Sequence, residues 1–171
     1  MEKTKSISIV NAFPAGFFLV AGLLIFAPLL KNQMITGPLV NFLLFSSAVL
    51  LGRGVALSFC VFPSVISLAS GLLPLVLAPV VPFIVLSNMI LVLSFDFLRK
   101  KNLYLAVILS ALLKFLFLSS TSSLVLAMFN KSAASQVALM MGYPQLLTAL
   151  AGGFLAIVFL KIINEKKKHD F

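Results

Sequence analysis

The sequence predicts an all-α membrane protein, a compact bundle of six transmembrane helices with both termini in the cytoplasm. Three observations predict it. First, 61% of the 171 residues are hydrophobic and 10% are charged, whereas soluble domains average about 45–50% apolar and about 25% charged. A soluble chain of this size could not hide so much apolar surface, and the bilayer is the solvent that accepts it. Second, the apolar residues fall into runs near the roughly 20 residues that a helix needs to cross about 30 Å of hydrocarbon. Third, the charges collect at the ends of those runs.

With charges, Gly and Pro as punctuation, six segments emerge in a single integral membrane domain spanning 1–171. Segment 1 is 7–30. Lys3 and Lys5 before it imitate a secretory signal, but a signal's apolar core is about 7–15 residues, so it is expected to be retained as a helix. Lys31-Asn32-Gln33 follows. Segment 2 is 38–51, with Pro38 at a tolerated helix start; it falls below the usual span and is expected to lie against protein or to be cut wrongly. Gly52-Arg53-Gly54 separates it from segment 3, 55–73, which contains Pro63. The alternative is five spans with Arg53 inside the membrane, at a cost of about 2.5–3.5 kcal/mol on insertion scales; glycine on both sides of Arg53 favours a turn. Segment 4 is 76–98, and Arg99-Lys100-Lys101-Asn102 ends it. Segment 5 is 103–128. A polar stretch, 130–143, is read as a connection. Segment 6 is 144–163, and 164–171 is a charged cytoplasmic tail.

Loop cations orient the bundle. One side collects Lys3, Lys5, Arg53, Arg99, Lys100, Lys101, Lys161 and Lys166 to Lys168; the other collects Lys31 and Lys131. The cation-rich side is therefore cytoplasmic, and the protein is expected to be a multi-pass protein of the cell membrane. This also accounts for the net charge of +9 without nucleic acid, whose binding needs a basic stripe interleaved with stacking aromatics. Asp96, near Arg99, reads as half of an interfacial ion pair.

Lys114 departs from this border pattern. It lies in Leu112-Leu113-Lys114-Phe115-Leu116, about 16 Å into segment 5 at 1.5 Å per residue, too deep to snorkel. An intramembrane ionisable residue is by default a functional hypothesis. The functional reading makes Lys114 the counter-charge for an anionic group such as a carboxylate; the structural one pairs it with backbone carbonyls or another subunit. Asn41, Asn88 and Gln145 lie at compatible depth, and a buried amide needs a partner, either a neighbouring helix or a ligand. Tyr143 sits beside Gln145, and Ser119 opens a serine- and threonine-rich run, 119–123. Those hydroxyls also serve as packing glue between helices. The substrate-binding candidates are thus Lys114, Asn41, Asn88, Gln145, Tyr143 and Ser119. Small residues, Ala12 and Gly16 in segment 1 and Ala149, Gly152, Gly153 and Ala156 in segment 6, permit close helix approach.

A phosphate loop, a His-Glu-x-x-His pair, a cluster of Cys or His and a pair of carboxylates are all missing from the sequence. Without them, ATP hydrolysis, a metal or other cofactor, and acid–base catalysis in this chain lack support. The one cysteine, Cys60, can form no intrachain disulfide. Ion-coupled transport usually uses intramembrane acids, and none lies near mid-membrane. The expected role is binding without catalysis; the competing readings are a ligand-free structural or assembly subunit and a small intramembrane enzyme.

Ile35-Thr36-Gly37-Pro38-Leu39-Val40-Asn41, Leu77-Ala78-Pro79-Val80-Val81-Pro82-Phe83 with Asn88 following, and Pro144-Gln145-Leu146-Leu147-Thr148 carry a pattern-level resemblance, over nearly the whole chain, to the substrate-specific S component of energy-coupling factor (ECF) transporters. The resemblance implies a vitamin, a precursor or a similar micronutrient bound near the extracellular side. It implies as partners a membrane coupling subunit and two ATPase subunits. It also implies docking on the coupling subunit through an Ala-x-x-x-Ala type motif, to which Ala12 and Gly16 correspond with Gly in one small-residue position.

Overall fold

The computed structural model describes the backbone of residues 2–30, 32–70, 73–127 and 131–169, and the side chains of these except 2–13, 131–133, 139 and 165–169. Among them every regular element is helical: α1 (Glu2–Phe26), α2 (Gln33–Leu50), α3 (Arg53–Phe59), α4 (Phe62–Ala69), α5 (Val81–Leu98), α6 (Leu103–Leu126), α7 (Lys131–Met141) and α8 (Tyr143–His169). Short 3-10 turns, Ala27–Leu30 and Leu75–Val80, follow α1 and precede α5. Four continuous stretches, Gln33–Leu50, Leu75–Leu98, Leu103–Leu126 and Ala134–Asn164, are long and apolar enough to cross a membrane; Pro14–Leu30 and Arg53–Ala69 are shorter apolar helices. The fold is that of an all-α membrane protein.

The helix boundaries depart from the sequence reading where local chemistry overrides hydropathy. α2 starts at Gln33 rather than at Pro38, because the Asn32 side chain caps it by accepting from the Met34 amide at 2.9 Å. Pro38 then lies inside the helix, and α2 reaches 18 residues, enough to span. Gly52 adopts φ 92° and ψ 162°, a backbone region open to glycine and strained for other residues. That turn leaves Arg53 exposed at the start of α3. Segment 3 breaks into α3 and α4 because Pro63 has no N–H to donate to the preceding turn. Segment 4 opens as a 3-10 turn containing Pro79 and continues as α5 with Pro82 in its first turn. The connection expected over 130–143 folds instead as α7. Gly142 ends it where a Cβ would strike the Ala138 carbonyl, and Pro144 helps open α8. α8 runs on to His169, through most of the stretch read as a tail.

α2 packs chiefly on α8, and α5 on α6. The small residues of segment 6 explain how closely α8 lies on its neighbours. A Cβ at Gly152 would meet the Pro38 carbonyl oxygen at 2.5 Å, the Phe42 nitrogen at 2.7 Å and the Asn41 Cβ at 2.8 Å. A Cβ at Gly153 would collide with Val107 of α6, and Ala149 and Ala156 are buried. These residues let helices of one chain approach without a hydrophobic driving force. Two apolar clusters result. The larger joins α1, α2, α3, α5, α6 and α8, with Phe45 and Phe95 edge to face at 4.7 Å. The smaller gathers Leu73, Leu77, Val80, Leu118, Val125, Val137 and Met141. Side chains such as Phe18, Leu75, Phe97 and Leu124 stand fully outward, as a lipid-facing surface requires.

Candidate functional site

Between the two clusters lies a cavity of about 110 Å³. The N-terminal portions of α2 and α5, α4, α6, and the α7–α8 junction wall it. Lys114 reaches it from the side of α6 and is 2% exposed. Its Nζ donates to Asn41 Oδ1 and to Asn88 Oδ1, each at 2.8 Å. The amine therefore ties α6 to α2 and to α5 at one point. Asn41 in turn donates through Nδ2 to the Gly37 carbonyl at 2.8 Å, so both ends of its amide are committed. Gly152 packs against the Asn41 Cβ and the Pro38 carbonyl. The close approach of α8 to α2 thus holds Asn41 in register with Lys114.

The donors and acceptors fix the orientation of each amide. Lysine only donates, so both asparagines turn oxygen towards it. The Nδ2 of Asn88 consequently points away from Lys114, and it has no partner among the described residues. The ammonium has three donors, and two are used. Gln145 donates through Nε2 to the Met140 carbonyl at 2.8 Å. That bond leaves its Oε1 as the uncommitted end on the cavity wall. Ser64, from α4, adds a hydroxyl without a hydrogen bond to another described residue. Pro28, Val40, Pro63, Leu73, Ile84 and Met140 supply the apolar wall.

The partners of Lys114 are neutral. The one acid whose side chain is described, Asp96, lies near the far end of α5 and pairs with Arg99 at 2.8 Å, as their spacing predicts. The sequence reading left the partners of Lys114 to a ligand, to backbone carbonyls or to another subunit. Side-chain amides of its own chain supply them instead, with a hollow adjoining.

Four of the six substrate-binding candidates, Lys114, Asn41, Asn88 and Gln145, line this cavity. Tyr143 and Ser119 are exposed and lie outside its wall. Ser119 sits on another side of α6, and three neighbours, Ser120, Thr121 and Ser122, bond back to carbonyls of their own helix. The side chain of Ala12 lies outside the described residues; Gly16 is half-buried, and a Cβ there would touch Leu51 at 3.5 Å. Thr36, Ser64 and Ser67 were not singled out from the sequence, yet they face the cavity. The i, i+3 spacing of the two serines, one helical turn apart, is the signal that marks that face of α4. Among the described residues no group of three His, Cys, Asp or Glu side chains could hold a metal ion. In comparisons with protein-family models, curated proteins and solved structures, the chain matches none of them.

Proposed function

We propose that this chain is the solute-binding subunit of an ATP-driven importer of the ECF type, delivering a small micronutrient such as a vitamin or its precursor across the cell membrane. In this reading the six apolar helices are six spans, both termini face the cytoplasm, and the cavity opens on the opposite side. The subunit binds and does not catalyse; a membrane coupling subunit and two ATPase subunits supply the energy.

One observation carries the reading. A lysine buried at membrane depth meets two neutral amides at the edge of a polar-walled hollow. Insertion scales put such a cation at about 2.5–3.5 kcal/mol, and a pathway or ligand is the usual reason a membrane helix keeps one. The clustering of loop cations at the other end of the bundle supports the orientation.

Purification of the full chain from its native membrane tests the proposal. The expected result is a retained small molecule by native mass spectrometry, together with co-purified coupling and ATPase subunits. Loss of both findings would overturn it. The two 2.8 Å bonds favour one second reading, a structural subunit in which Lys114 only pins α2, α5 and α6 together. That reading gives the first experiment an empty protein with intact partners.

A further inference from the structure

We infer that the cavity takes a compact monocarboxylate, its two oxygens accepting from Lys114 Nζ and Asn88 Nδ2 while its body lies on the apolar wall. The inference rests on the binding-subunit reading and names the chemical class that the site would hold.

Charge comes first. Among the described residues, nothing anionic approaches Lys114. A buried cation held only by neutral oxygens remains partly uncompensated, so the missing charge is one a ligand can bring. Geometry comes second. Lys114 has one donor beyond its two amide bonds, and the orientation that this lysine imposes on Asn88 turns that residue's Nδ2 away from it. Both residues line the cavity, and a carboxylate has two oxygens to receive two such donors. A phosphate carries more charge and more acceptor oxygens, and the cavity wall has no arginine to meet them. The helix N-termini of α2, α5 and α8 lie at this end of the bundle; their partial positive charge favours an anion over a cation. Size comes third. A cavity of about 150 Å³ holds benzene, so about 110 Å³ suits a solute smaller than a ring, such as a short-chain acid. Gln145 Oε1 is placed to accept from a polar hydrogen on that solute.

The test uses the full chain in detergent and a panel of monocarboxylates of up to about six non-hydrogen atoms, a ceiling set by that volume. Each acid is paired with its primary amide, beginning with butyrate and butyramide, and binding is read by thermal shift and equilibrium titration. At least one acid is expected to bind about 100-fold more tightly than its amide, the difference one charge-assisted contact supplies. Lys114→Met should erase that preference. Asn88→Asp is the second variant: it keeps an oxygen for Lys114 and therefore the fold, but supplies the anion internally, so it should lose acid binding by a similar factor. An acid and its amide that bind equally, an Asn88→Asp protein that still binds the acid, or a panel in which no acid binds overturns the carboxylate assignment. The importer reading survives those results if a neutral or cationic solute is retained with the ATPase subunits. Conversely, acid preference without any ATPase partner removes the importer reading and leaves the carboxylate site standing.

Discussion

Two lysines, one midway along α6 and one near the basic end of α8, live under different physics. Lys114, on the cavity wall, is 2% exposed and reaches two amide oxygens on two other helices. Lys161, near the basic end of α8, is exposed; it donates to the Tyr104 hydroxyl at 2.6 Å and lies 5.1 Å from the centre of that ring. The contacts look equally good in distance. Their energetic weights differ because bulk water competes freely for one and far less for the other: an exposed charged contact is worth about 0–1 kcal/mol, whereas stranding a buried charge costs several. A short bond therefore says little until the exposure of its partners is known. Function is best sought where a polar contact is shut away from bulk water.

The largest break in this comparison comes from removing one oxygen beside Lys114. Asn88→Leu leaves Lys114 with a single amide in a buried site, and a loss of about 3 kcal/mol of stability is expected. Lys114→Met combined with Asn88→Leu should recover part of that loss, since the buried charge is gone although Asn41 Oδ1 then lacks its donor. Thermal unfolding of the single and double variants in one detergent gives the coupling energy. A coupling under about 0.5 kcal/mol would mean that the two residues act independently.

A smaller effect tests whether helix packing sets the site. Gly152→Ala forces a methyl group towards the Pro38 carbonyl, the Phe42 nitrogen and the Asn41 Cβ, all at 2.8 Å or less. These are mostly backbone atoms and cannot swing aside, so α2 must shift from α8. The expected cost is about 1–3 kcal/mol. Ligand affinity should fall as well, because Asn41 moves with α2, while a probe at Tyr104 should stay unchanged. If affinity holds although stability drops, Asn41 does not depend on this helix contact for its placement.

The same contrast explains which parts of the site could be read from the sequence. Lys114 stood out because a charge in an apolar run has a known cost, and Asn41, Asn88 and Gln145 stood out because buried amides do. These are one-residue signals. That Asn41 and Asn88 satisfy Lys114 is a three-helix fact, fixed by the Gly152 contact between α2 and α8, and no local pattern encodes it. Ser119 and Tyr143 share the composition of a site but not its face: a helix turns about 100° per residue, and both point outward. α7 escaped because its composition, Lys131-Ser132-Ala133-Ala134-Ser135-Gln136, resembles a loop. Its helix is stabilised by burying Val137 and Met141, four residues apart, in the smaller apolar cluster. The breaks at Pro63 and near Pro79 followed local rules that hydropathy windows average away.

The smallest effect belongs to the basic end. Tyr104→Phe removes the hydroxyl that Lys161 reaches but leaves the ring beneath the ammonium. Water and the headgroup region offer that ammonium other partners, and cation–π attraction at exposed sites is about 0.5–1 kcal/mol and needs no hydroxyl. The expected change is therefore below about 0.5 kcal/mol, the usual range for surface substitutions, with solute affinity unaltered. Measured beside Asn88→Leu in the same detergent, this variant calibrates the comparison. A Tyr104→Phe loss as large as that of Asn88→Leu would mean that the basic end is as well shielded from bulk water as Lys114. Exposure would then no longer separate the two lysines, and the case for placing the functional site around Lys114 would lose its physical ground.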